Sequence, residues 1–164
     1  MRKTWAVIAL AALAAGACGK SSTGPDSQKT DELVGTWVST GTNVPLGLRA
    51  LKVKAITATF NANNTYSVLS TDSSNNVTTM TGTWSAGAIT TSGVIRAITV
   101  NQGSPTTLTS QGIFQVTGTG MRYEVIQVQP ALQGWTAPTI TGGFGSTAYN
   151  GTAYAIYVQT YVKQ

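Results

Sequence analysis

An apolar run at residues 4–15 is the longest in the chain. From Leu33 to the end, short stretches rich in Thr, Val, Ile and Tyr alternate instead with clusters of Gly, Asn and Ser, spaced 8–14 residues apart. Short β-prone segments bounded by turn formers at that spacing predict an all-β sandwich or barrel. The strands fall at 33–40, 51–60, 64–71, 77–85, 88–92, 94–101, 106–109, 112–118, 121–129 and 153–163. Asn61-Ala62-Asn63-Asn64, Asp72-Ser73-Ser74-Asn75-Asn76 and Gly118-Thr119-Gly120 read as hairpin turns. Beyond the first run no helical period is sustained, and only a single turn near 44–51 or 131–134 has room to form.

Alternation sorts the side chains into two faces, because successive strand residues point opposite ways. At 64–71, Tyr66 and Val68 share one face, and at 77–85 Met80, Gly82 and Trp84 do the same. In the last strand Tyr154, Ile156, Val158 and Val162 align, which puts Tyr157 and Tyr161 on the reverse, exposed face. The segment 51–60 breaks the rule: Lys52 and Lys54 share parity with Ile56, Ala58 and Phe60. Either a bulge near Lys54–Ala55 resets the phase or the lysines lie at a strand end. Arg96 is the other irregularity, a charge in phase with Val94, Ile98 and Val100. An arginine turned into a barrel needs an acceptor, which an anionic ligand head group supplies; on an outer face or a rim it needs none.

The first residues are an address. Arg2 and Lys3 precede the apolar run, which is shorter than the roughly 20 residues a membrane span needs, so residues 1–17 read as a signal peptide. The run closes on Ala15-Gly16-Ala17-Cys18, small residues directly before the only cysteine. This resembles the lipobox of bacterial lipoproteins, with Ala15 where leucine is commoner. The resemblance implies acylation of Cys18, palmitate included, and a membrane as the chain's first partner. Several acyl chains anchor far more firmly than one. Gly19, rather than aspartate, implies the outer membrane of a two-membrane cell, with the domain facing the periplasm. Residues 18–32, the acylated cysteine and the polar stretch after it, read as a disordered tether with a reach of roughly 20 Å, ahead of a single domain at 33–164.

Composition then narrows the chemistry. With no histidine and one cysteine, no metal cluster, disulfide or Ser-His-Asp triad is to be expected, so the expectation is no cofactor, no metal and no catalytic residue. From Cys18 onward the net charge is 8 − 5 = +3 with the basic residues scattered, which is no nucleic-acid footprint. Within 33–164 the carboxylates are Asp72, in a turn, and Glu124, expected in a surface ion pair with Arg122. Ser85, in Thr83-Trp84-Ser85-Ala86-Gly87, lacks the first glycine of a nucleophile elbow, and Gly142-Gly143-Phe144-Gly145 lacks the Lys-Ser/Thr ending of a phosphate loop. The stretch 129–145, with Trp135 and Phe144, is apolar for a loop: a lid or contact surface over a barrel mouth, or core cover.

Three short motifs carry a second resemblance. Gly35-Thr36-Trp37 opens the first strand, Phe60-Asn61-Ala62-Asn63-Asn64-Thr65-Tyr66 follows, and Gly82-Thr83-Trp84-Ser85 repeats the first. Together they resemble the lipocalin-like domains of small bacterial lipoproteins, over residues 33–92. Asn64 replaces the usual glycine, which Asn's tolerance of positive φ allows. The resemblance implies a single antiparallel meander closing into a lipocalin-like β-barrel of about 8–10 strands, with Gly35, Trp37, Gly82 and Trp84 as its structural motif. Lipocalins also pack a late arginine on the first tryptophan; Arg122 lies in no matching motif. The expected function is that of a non-catalytic periplasmic lipoprotein binding a small apolar ligand or peptide, with Tyr66, Met80, Arg96 and Tyr154 as ligand-binding residues. The alternative is a filled-core interaction module of a cell-envelope assembly, contacting an envelope protein partner through Tyr157, Tyr161 or the 129–145 loop.

Overall fold

The computed structural model describes residues 30–88 and 93–164. The expected signal peptide, Cys18, the expected tether up to residue 29 and nearly all of the expected 88–92 strand lie outside the described residues. In chain order the elements are β1 (Gly35–Thr40), α1 (Leu46–Ala50), β2 (Val53–Phe60), β3 (Thr65–Asp72), β4 (Val77–Ala86), β5 (Arg96–Ser104), β6 (Leu108–Thr117) and β7 (Gly120–Gln129). Three two-residue strands follow, β8 (Trp135–Thr136), β9 (Ala148–Tyr149) and β10 (Thr152–Ala153), and then β11 (Gln159–Lys163).

Eight of these strands form a closed antiparallel meander barrel. Neighbours in sequence pair from β1 to β7, and β11 closes the ring between β7 and β1, with Val162 opposite Gly120 and Trp37 opposite Lys163. The small strands form a separate sheet in the order β10-β9-β8. The fold is thus the all-β class that the strand spacing predicts, arranged as the meander barrel that the resemblance implies, with eight barrel strands.

The turns follow their residues. Asn64 and Asn75 hold φ of 64° and 68°, and Gly118 holds 58°, each at a predicted hairpin. Asp72 stiffens the second of these: its Oδ1 accepts the backbone N–H groups of Ser74 and Asn76 at 2.8 and 2.9 Å. A bulge lies between Val53 and Ala55, so Lys54 turns outward while Val53 and Ile56 both face in.

The structure corrects two strand assignments. Segments 106–109 and 112–118 are one strand, β6, bent by a bulge between Thr109 and Ser110. Gly112 sits within β6 where it crosses β7 closely: a Cβ there would be 1.9 Å from the Glu124 carbonyl oxygen. The 153–163 strand is interrupted by a single 3-10 turn at Ala155–Tyr157. That turn reverses the phase, so Tyr161 points into the barrel, 3% exposed, and Val162 points out, 47% exposed.

The two ends of the barrel differ. At one end lie Leu33, Trp37, Phe114 and Met121, all fully buried, together with the β2–β3 and β6–β7 hairpins and the chain's N-terminal approach. The opposite end carries α1, the β3–β4 hairpin and the long β7–β11 connection. The first end is plugged, and the second is open.

Candidate functional site

The plug is built from the motif residues. Trp37 is wholly buried on β1, and its indole Nε1–H donates to the Leu33 carbonyl at 2.8 Å. The Lys163 ammonium lies 4.9 Å from the centre of the Trp37 ring and donates to the Glu32 carbonyl. Lys163, rather than Arg122, therefore supplies the cation on the first tryptophan. Gly35 is needed because a Cβ there would lie 2.6 Å from Lys163 Cε, at a backbone φ of 138°. The second motif repeats the arrangement. Trp84 meets Phe60 edge-on at 5.8 Å, and a Cβ on Gly82 would be 2.0 Å from the Asn101 carbonyl oxygen.

Arg96 faces inward at this plugged end, 4% exposed, but its acceptor belongs to the chain itself. Two of its nitrogens reach the Asp31 carboxylate at 2.8 and 2.6 Å, it donates again to the Gly87 carbonyl, and it lies over the Phe114 ring at 4.9 Å. Residues 30–32 are thus folded onto the barrel, which shortens the expected tether. Burial raises the Asp31 carboxyl, but the Arg96 hydrogen bonds, the Leu33 amide and the Arg96 charge outweigh it and hold the group below the ordinary carboxylate value. A half-polar hollow of about 440 Å³ opens beside this pair. It is bordered by Thr30 and Ala88, where the described stretches end.

The open end leads into a cavity of about 410 Å³. Ile56, Phe60, Tyr66, Val68, Met80 and Val100 line its walls, with Tyr123, Val125 and Tyr161 from β7 and β11. Leu48 of α1 and Val53 reach it from the mouth side, and Ser70, Thr78, Gln102, Ser110 and Gln159 add neutral polar groups. Phe60 stacks with Tyr66 at 6.3 Å, and Tyr123 meets Tyr161 edge-on at 6.2 Å. Burial pushes the Tyr66 hydroxyl up to about 12 and raises those of Tyr123 and Tyr161 further, so all three are neutral donors at ordinary pH.

Of the four residues expected to touch a ligand, Tyr66 and Met80 line this cavity. Arg96 does not, being at the plugged end and bound to Asp31. Tyr154 does not either: it is 37% exposed and packs 6.1 Å from Trp135, outside the barrel, because the phase it was assigned does not survive the 3-10 turn. Trp135 also contacts Tyr149 at 5.1 Å and Tyr157 at 5.3 Å, and the Tyr157 ring abuts Gly47 of α1 at the mouth. Tyr157 is only half-buried and Tyr161 is buried, so the exposed pair expected on the last strand is not formed.

Glu124 is also corrected. It is fully buried and makes no ion pair with Arg122; its Oε2 and Oε1 accept the backbone N–H groups of Gly145 and Thr147 at 2.6 and 3.0 Å. Arg122 instead covers the Phe144 ring at 4.2 Å. The glycine-rich stretch therefore packs down on the outer wall of β7 rather than over the mouth.

Several residues that matter here were not singled out from the sequence. Tyr123 and Val125 share inward parity with Met121, a signal that was present. Gln159 lies beyond the phase reversal that turns Tyr161 inward from its expected outer face, and Asp31 lies in a stretch that reads as tether, so alternation points to neither Gln159 nor Asp31. No family model, curated protein or solved structure matches the chain.

Proposed function

We propose that this chain is a lipid-anchored, non-catalytic lipoprotein of the cell envelope that takes one small apolar molecule, or the apolar end of a peptide, into the open end of its barrel. The observation that carries this reading is the cavity of about 410 Å³, walled by aliphatic and aromatic side chains and open at one end. That size and lining are those of sites that enclose small molecules, and a barrel of this strand number holds one such ligand when its interior is not filled. The carboxylates Asp31, Asp72 and Glu124 are each engaged in holding the chain's own groups, which favours binding over catalysis. Thr30 and Asp31, the first described residues, lie at the plugged end, so the mouth opens on the side opposite them. That arrangement suits a pocket facing the periplasm from an outer-membrane anchor.

The test is native mass spectrometry and solvent extraction of the full chain purified gently from its own cells. A single bound small molecule per chain, released on unfolding, is the expected result. Ligand-free protein that also fails to take up any apolar probe would sink the reading.

One observation favours the second reading, an envelope interaction module. Tyr149 and Tyr154, 42% and 37% exposed, flank Trp135 on the small outer sheet. Substituting both tyrosines by Ser and repeating an in-cell cross-linking experiment separates the readings, since only the second expects an adduct to vanish.

A further inference from the structure

Among the described residues, two cations point into the barrel, and both are matched at its plugged end: Arg96 by Asp31 and Lys163 by the Trp37 ring and the Glu32 carbonyl. Among the described residues that line the open cavity, none is charged. Its polar side-chain atoms are hydroxyls and two carboxamides, each carboxamide held by one hydrogen bond. Gln102 gives one N–H to the Thr106 carbonyl at 2.8 Å and turns its oxygen to accept. Gln159 accepts the Tyr161 hydroxyl on its oxygen, which leaves its NH₂ group as a donor. The cavity therefore offers both senses of hydrogen bond and no counter-charge.

We infer that the site, on the reading that it binds a ligand at all, selects uncharged amphiphiles: an apolar body with one neutral head group that both donates and accepts, such as an alcohol or a primary amide. An ionised carboxylate only accepts and an ammonium only donates. Either ion would also leave water for an apolar chamber without a partner charge, which is costly. A hydroxyl or a primary amide can donate to the Gln102 oxygen or accept from the Gln159 NH₂ group, wherever its head group settles, and brings no net charge. Arg96, which from sequence reads as an anion receptor, is withdrawn from that role by Asp31.

The full chain is titrated near neutral pH with decanol, decanoate and decylammonium, each competing with the neutral fluorescent probe N-phenylnaphthylamine. Decanol is expected to displace the probe at least about tenfold more effectively than either ion. Gln102→Lys, or Ser70→Lys should the first not fold, is expected to turn the order in favour of decanoate. Equal or better displacement by either ion overturns the selectivity but leaves the binding reading standing. An unchanged order in whichever lysine variant is shown to be folded overturns it as well. Failure of the probe and all three competitors to bind removes the binding reading and the selectivity together.

Discussion

At Gly82 and Gly112 the barrel depends on the absence of a single carbon. A Cβ at either would press into the neighbouring strand's backbone, at 2.0 Å from Asn101 O and 1.9 Å from Glu124 O. Backbone cannot swing aside as a side chain can, so Gly82→Ala and Gly112→Ala should each cost about 2 kcal/mol or more, read as a lower urea midpoint. Asp31 supplies a pH test. Its carboxyl is held below its ordinary value in the fold, so its stabilising contribution is complete above the unfolded value of about 4 and fades as pH falls through the folded value. Asp31→Asn should lower stability at neutral pH by on the order of 3 kcal/mol, since it leaves Arg96 buried without its counter-charge. Its difference from the parent protein should shrink as the solution is acidified below pH about 4. A constant difference across that range would show that the pair does not titrate with folding. Tyr66 works in the opposite sense. Its hydroxyl is raised to about 12, so the stability it contributes is present below an unfolded value of about 10 and is lost between there and 12. The difference in tyrosinate absorbance between the parent protein and Tyr66→Phe should therefore develop near the upper end of that window.

Between elements, two contacts hold the long β7–β11 connection and the mouth. Glu124 binds the connection to the barrel wall through two backbone amides. Glu124→Ala leaves both without an acceptor and should cost about 2–3 kcal/mol, with faster proteolytic cleavage confined to residues 130–158. At the mouth, a Cβ on Gly47 would lie 3.2 Å from the Tyr157 ring and 3.3 Å from the Ile156 carbonyl oxygen. Gly47→Val should push α1 and Leu48 away from the cavity, for about 1 kcal/mol and a faster probe dissociation. These contacts also mark where the sequence stops being readable. Alternation reveals β3 and β4 with their inward Tyr66, Met80 and Trp84, because the period of two runs unbroken between turn residues whose chemistry is local. The Lys54 bulge is visible for the same reason, as one of the two ways, with a strand end, to place two lysines out of phase. The 3-10 turn at 155–157 carries no such mark, so Tyr161 was assigned to the wrong face, and Gln159 passed without notice. Asp31 and Glu124 are legible only through their partners, which lie 65 and more than 20 residues away.

At the scale of the molecule, the barrel divides its chemistry between two ends. The inward-facing charges of Arg96 and Lys163, the buried Trp37 and the chain's N-terminal approach are gathered at the plug, while the other end keeps a neutral chamber of about 410 Å³. The chamber adds nothing to packing, and a filled interior would be the more stable solution. That a well-plugged barrel leaves it open is the reason to read it as a site. The most direct measurement is the affinity of N-phenylnaphthylamine for the full chain and for Met80→Trp, which places an indole in the cavity, with circular dichroism confirming that both are folded. The account expects one saturable site in the parent protein and a loss of at least about tenfold in the variant. Saturable binding of equal strength in the two folded proteins, or none in the parent, would contradict it.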